Sequence, residues 1–305
     1  MVRKKIGILF MLLLGKAYGQ VTGDVFVSDR DRDMFYAHYT PEINNNQLYD
    51  YQRVSTKFSF PLLRSQKFGV FNTIGMDYHS LSYNSFKPSF LNSKASYYNV
   101  NYSVLAQYRI AENWSINALI MPHVIGDFNR ELTDNDLKIN GILFAEKRFK
   151  SKNQQNYYVL SFGIGYLTLS GETMVNPVLN FSGNLRNKIT FAVGLPSTYI
   201  KYNFNKKHAV KLLGELNDFT VNIDKLVQKR NGSGLRVTKN IFTTTLVGVE
   251  YNYWLTKSIG ILFRGTHSIF EKHEFQNDED EVIYGFDTSL KSYISVGLRI
   301  NPFRR

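Results

Sequence analysis

Residues 77–82 read DYHSLS and bring a carboxylate, an imidazole and two hydroxyls close together. A serine hydroxyl becomes a nucleophile when a histidine takes its proton and a third polar group orients that ring. If the segment is a strand, successive side chains point to opposite faces. Asp77, His79 and Leu81 then share one face, and Ser80 and Ser82 share the other. A histidine and serine cooperating along one strand must lie two apart, and position 81 is leucine. Asp77 and His79 are therefore expected to form a polar pair without a nucleophile, and the chain is expected to be no enzyme.

The other histidines (His38, His123, His208, His267 and His273) show no ligand spacing, and no HExxH, P-loop or GxSxG pattern occurs. The sequence holds no cysteine, which excludes disulfides and thiolate metal sites. No catalytic residue, metal or cofactor is expected. The acidic run Asn277–Glu281 reads as a solvated loop, with bridging of divalent cations to lipopolysaccharide as the alternative.

The elements that would position any site begin after a leader. Residues 1–5 form a basic n-region with Arg3, Lys4 and Lys5, Ile6 to Leu14 are an apolar core, and Ala17-Tyr18-Gly19 is a small-x-small cleavage site. This is the pattern of a secretory signal peptide over 1–19. Removing it takes away four cations and no acid, so the net charge falls from +12 to +8. The basic residues form no dense helix or repeated basic–aromatic motif, so a nucleic-acid role is not expected.

Alternation then dominates. In 97–110, Tyr98, Val100, Tyr102, Val104, Ala106, Tyr108 and Ile110 oppose Asn99, Asn101, Ser103, Leu105, Gln107 and Arg109. The same period of two runs through Val54–Phe60, Trp114–Ile120, Leu137–Leu143, Tyr158–Tyr166, Val210–Leu216, Ile241–Tyr253, Ile259–Phe263 and Leu290–Ile300. Period two means strands between two environments. About nine to eleven tilted residues cross a bilayer, so a run this long crosses and projects beyond.

Short connections (Leu63–Gln66, Ala111–Asn113, Lys150–Asn156, Arg186–Lys188, Asn205–Lys207, Leu255–Lys257) alternate with longer polar ones. The longer set is Asn84–Ser96, Gly126–Asp136, Gly171–Pro177, Phe219–Arg236 and Glu271–Ile283, with Pro196–Thr198 the short exception. Outer-membrane barrels have this asymmetry. With Met34–Thr40 as the first strand the count is about fourteen, with twelve as the alternative. The expected fold is an all-β transmembrane antiparallel up-and-down β-barrel. The expected parts are a signal peptide (1–19), a periplasmic N-terminal segment (20–33) and the barrel (34–305). The segment Val21–Asp33 is a candidate tail or plug.

If apolar faces look at lipid, the lumen-lining candidates are Arg53, Lys57, Arg109, Glu146, Arg148, Lys211, Glu215, Glu250, Arg264, Lys291 and Arg299. Glu250 and Arg264 fall on consecutive strands and suit an ion pair. The charges either satisfy one another across the wall or, through their cationic excess, favour anionic solutes. Leu105, Leu119, Phe144 and Leu246 also face inward, which suits a narrow or plugged lumen.

Tyr39-Thr40-Pro41, RVSTKFSFPLL (53–63), MPHVIGDF (121–128) and the run from Gly163 to Phe204 together resemble an uncharacterised outer-membrane β-barrel family common in Bacteroidota, named only as a domain of unknown function. The resemblance covers most of the mature chain. It implies an outer-membrane barrel and no catalytic assignment. The terminal aromatic usual in such barrels is here Phe303, followed by two arginines. The expected function is porin-like passive or ligand-specific passage of a small solute, with anions the candidate class. The alternatives are a closed structural or binding barrel using its outer loops and, further off, a lipid-modifying barrel enzyme. Expected partners are outer-membrane lipid, lipopolysaccharide and the barrel-assembly machinery, and the chain is expected to act as a monomer in the cell outer membrane.

Overall fold

The computed structural model describes residues 33–304 apart from 44–47, 85–90, 130, 152–155, 170–171, 196, 229–233 and 287–289. The leader and most of the segment 20–33 lie outside the described residues.

The first strands are β1 (Phe35–Pro41), β2 (Tyr49–Arg64), β3 (Phe68–Tyr83), β4 (Lys94–Ala111) and β5 (Trp114–Gly126). A 3-10 turn, Asp134–Asp136, precedes β6 (Leu137–Lys150), β7 (Asn156–Leu169) and β8 (Glu172–Leu185). Two short strands follow, β9 (Ile189–Gly194) and β10 (Thr198–Asn203). The chain closes with β11 (His208–Gln228), β12 (Gly234–Trp254), β13 (Ile259–Gln276), β14 (Val282–Phe286) and β15 (Ser292–Ile300). β1 to β13 pair antiparallel in sequence order, β13 pairs with β15, and β15 pairs with β1. The ring therefore has fourteen strands, the higher of the two expected counts. β14 adds to the upper end of β13, above the stretch that β15 occupies.

The two faces divide as hydrophobicity requires. Ile74, Met76, Tyr98, Val100, Ile120, Leu143, Ile164, Leu179, Leu212, Phe263 and Ile294 are exposed on the outside. Ser55, Asn99, Asn101, Asn117, Asn140, Ser161, Asn180 and Asn252 are buried within. An apolar exterior over a polar interior is the arrangement for a barrel in lipid, where closure leaves no strand edge unpaired.

Local chemistry fixes the turns and the close approaches. The β8–β9 hairpin turns on Arg186 (φ 49°) and Asn187 (φ 56°). Both central residues have positive φ, as in the hairpin turn whose twist matches the strands. The Asn184 side chain accepts the Asn187 N–H at 2.9 Å and steadies it. At Gly163 a Cβ would lie 2.1 Å from the Leu143 carbonyl oxygen, so only glycine lets β7 approach β6 this closely.

Three expected loops are mostly strand. β8 runs through Glu172–Pro177, β11 and β12 cover all of 219–236 except 229–233, and β13 extends through Gln276. Proline in β8 and polar residues along the upper ends of β11, β12 and β13 imitate loops in the sequence.

Candidate functional site

The lumen holds three tiers of side chains. At the short-turn mouth, Arg109 on β4 and Glu146 and Arg148 on β6 line a cavity of about 140 Å³ with Trp114, Lys150 and Val159. Glu146 accepts hydrogen bonds from Ser115 and Ser161, each at 3.3 Å. Among the described residues no carboxylate lies within ion-pair distance of the Arg109 or Arg148 guanidinium, and Arg148 rests 6.0 Å from the Tyr157 ring. Arg109, Arg148 and Lys150 share this cavity with the Glu112 and Glu146 carboxylates, three cations to two anions, and guanidinia outside a close ion pair are suited to hold a solute carboxylate or phosphate.

In the middle tier the charges neutralise one another. Arg53 holds Asp77 at 2.8 Å and lies 3.8 Å from Glu215. Arg264 bridges Glu215 at 2.8 Å and Glu250 at 2.5 Å, and it donates to the Tyr36 hydroxyl at 3.0 Å. Arg299 pairs with Asp33 at 2.7 Å, reaches Glu250 at 4.0 Å and donates to Asn252. Lys57 and Lys211 occupy the same inner face, with Lys211 4.8 Å from the Tyr199 ring. Asp33 is the one described residue of the candidate plug. Beside Arg53 and Arg264 lies a cavity of about 20 Å³, also lined by His38, Thr244 and Ser295. Its volume suits one water.

The upper tier is dry. Tyr51 on β2 stacks on Phe242 of β12 at 4.7 Å and lies 6.5 Å from Phe219 of β11. Tyr97 on β4 lies 6.0 Å from Phe219, and Asn240 of β12 donates to its hydroxyl at 3.0 Å. The Asn217 amide of β11 donates to the Tyr51 hydroxyl at 3.1 Å. In the ring β2 and β11 stand apart, with β1, β15, β13 and β12 between them, so these contacts cross the lumen. They belong to one buried cluster with Tyr49, Leu81, Tyr83, Ile125, Val221, Phe275 and Tyr293. β11 also reaches the β5–β6 loop, where Asn222 donates to the Asn135 carbonyl at 2.5 Å.

Lys291 sits within this tier at the long-loop end, 3.0 Å from Glu42, 3.6 Å from Glu271 and 3.4 Å above the Tyr49 ring. Tyr49 and Tyr293 donate to Glu271 at 2.5 and 3.2 Å. Lys291 precedes β15, so it is a loop-end residue and not part of the wall.

His79 is fully buried, with Nδ1 2.7 Å from the Tyr51 hydroxyl and its ring 4.3 Å from Phe219. Asp77 is taken by Arg53 and by the Ser55 hydroxyl. Asp77 thus belongs to the middle-tier ion pairs, and His79 and Leu81 to the buried aromatic packing above them. Among the described residues no group of three or more His, Asp or Glu is placed to hold a metal ion.

Sequence reasoning missed Glu42, Tyr49, Tyr51, Tyr97, Phe219, Phe242 and Glu271. The inward parity of Tyr49 and Tyr51 follows from Arg53, and that of Phe219 follows from Glu215. Nothing in one sequence signals which of them meet across the barrel.

Several solved structures are similar to the chain at very low identity. The KdgM porin, solved with disordered oligogalacturonate, is 11% identical over 87% of this chain and 98% of its own, with a TM-score of 0.33. The NanC porin is 10% identical over 87% of this chain and 98% of its own, with a TM-score of 0.38. Outer membrane phospholipase A from Escherichia coli is 10% identical over 89% of this chain and 93% of its own, with a TM-score of 0.40. Likeness at that level carries no functional inference. No curated protein sequence matches the chain. The model of one family, described as a domain of unknown function (DUF6268), matches residues 35–301, nearly the whole barrel, and the chain belongs to that family.

Proposed function

We propose that the protein is a porin-like barrel of the outer membrane that is shut in the conformation described and passes small solutes when its upper packing yields. The lipid-suited exterior supports membrane insertion. Short turns at one end and longer loops at the other support an orientation with the turns in the periplasm. The observation that carries the reading is the aromatic packing of β2 and β4 against β11 and β12, which fills the lumen above a polar, charged vestibule.

Small anions are the preferred solute class. The reason is narrower than an overall cationic excess, because the middle-tier charges are largely paired. It rests on Arg109 and Arg148, which raise local anion concentration at the short-turn mouth. Partners on this reading are outer-membrane lipid, lipopolysaccharide and the barrel-assembly machinery, and the chain acts as a monomer without catalysis.

Planar-bilayer recording of the full-length protein tests it. The unaltered barrel is expected to open rarely, and Phe219→Ala with Phe242→Ala is expected to open it often, with anions favoured. Steady conductance from the unaltered barrel would overturn the shut state. A silent double variant with proven insertion would overturn passage and favour the closed binding barrel, for which the same packing is the evidence.

A further inference from the structure

The rim at the short-turn end is unevenly charged. Three successive turns there, β8–β9, β10–β11 and β12–β13, carry Arg186, Lys188, Lys206, Lys207 and Lys257, all of them exposed. Backbone bonds hold these turns side by side. Asn203 N–H donates to the Lys188 carbonyl at 2.7 Å, and Trp254 N–H donates to the Lys207 carbonyl at 2.8 Å. The Asn203 side-chain amide donates to the Asn187 carbonyl at 3.2 Å. Among the described residues no carboxylate lies within ion-pair distance of any of these cations. The result is an arc of uncompensated positive charge on one side of the rim.

Contact with water alone does not explain the arc, because a rim that only needs solvation intersperses both signs. The exposed charges at the long-loop end lean the other way: among the described residues they are Glu131, Asp134, Glu172 and Asp278–Glu281 against Lys94 and Arg236. Solute capture at the mouth does not explain it either. The mouth cavity lies among β4 to β7, and none of the five cations lines it.

The surroundings of the arc point to its occupant. Ile200, Tyr202 and Phe204 are exposed on the outer face beside the β10–β11 turn, with the Tyr202 and Phe204 rings 4.9 Å apart. Tyr202 stands in one register row with Val210 and Tyr251. His208 Nδ1 lies 2.6 Å from the Tyr251 hydroxyl. Leu255 is exposed on the β12–β13 turn itself. Rings with polar tips gather where bilayer meets water, so cations just beyond them stand at headgroup depth. A ligand that meets both features has an apolar tail along Ile200 and Phe204 and an anionic phosphate at the turns.

We infer that Arg186, Lys188, Lys206, Lys207 and Lys257 bind the headgroup phosphate of anionic phospholipid in the leaflet at the short-turn end. The inference rests on the membrane-inserted reading above and is independent of conduction. The full-length barrel is inserted into phosphatidylcholine vesicles holding a trace of spin-labelled phosphatidylglycerol or spin-labelled phosphatidylcholine. Electron paramagnetic resonance then gives the motionally restricted fraction of each. Phosphatidylglycerol should be retained about fivefold more strongly, and about 0.5 M salt should bring the two close to parity. Joint Lys188→Gln, Lys206→Gln, Lys207→Gln and Lys257→Gln should reduce the preference to below about twofold, whereas Lys94→Gln at the opposite end should leave it unchanged. Equal retention by the inserted, unaltered barrel would overturn the inference alone. So would a preference that survives the glutamine changes, or equal retention together with binding of soluble polyphosphate, which would give the arc to a soluble polyanion. A barrel that inserts into neither vesicle would overturn the membrane reading and this inference with it. If the glutamine variant does not insert, salt decides: a preference that persists at about 0.5 M is not made by exposed charge.

Discussion

At the long-loop end Lys291 is almost wholly buried, 3.0 and 3.6 Å from Glu42 and Glu271. At the short-turn mouth Lys150 stands 3.9 Å from Glu112, with 55% of its side chain exposed. The chemistry is the same, a lysine beside carboxylates, but the surroundings differ. Above, aromatic rings exclude water and each charge depends on its partner. Below, water screens the pair and leaves it little to contribute. One set of strands builds both ends, because those that rise past the bilayer bury their inner faces against each other. Charge lists alone do not reveal function in such a lumen; the dryness at each height decides whether a charge is structural or free to meet solute.

Substitutions at the two ends should separate them by size. Lys291→Met leaves two carboxylates in a dry site without their cation and is expected to cost about 3–5 kcal/mol. Denaturant unfolding of the refolded barrel, read by the mobility difference between heated and unheated samples, measures this. A loss near that of an exposed pair would mean that water reaches the loop end. Tyr49→Phe removes a hydrogen bond to the Glu271 carboxylate at 2.5 Å and is expected to cost about 1.5–3 kcal/mol in the same assay. Lys150→Ala should cost less than about 1 kcal/mol. Arg148→Ala should change stability by no more than about 0.5 kcal/mol. It should nonetheless shift the reversal potential of the opened Phe219→Ala Phe242→Ala barrel in a salt gradient toward lower anion preference. An unchanged potential would remove Arg148 from the solute path.

Much of the wall was legible, because a lipid-facing strand states its orientation every second residue. Val54, Thr56 and Phe58 against Arg53, Ser55 and Lys57 fixed inside and outside for β2 and, through register, for its neighbours. The count of fourteen followed from short and long connections. Legibility failed where the outer environment changes. Asp218 and Asn222 share the parity of Leu212, but they are polar and meet Thr243 and the β5–β6 loop in place of lipid, so Phe219–Arg236 read as loop. Pro177 read as a breaker because the edge of β8 that tolerates it, which β9 leaves bare beyond Asn180, is a tertiary fact. The anion reading summed charges that the fold pairs, since Arg264 meets Glu215 two strands away as well as Glu250 next door.

The join that makes a sheet into a tube is made by the two ends of the chain. β1 meets β15 along Phe35–Tyr39 and Val296–Ile300, whereas β11 and β12 hold one another from His208 to Gln228. Hairpins can zip as soon as their own residues are present, but this seam must gather residues from opposite termini at the greatest loop-closure entropy. It should therefore form last and part first, so the lifetime of the assembled cylinder is set at this terminal suture and not along its longest staves.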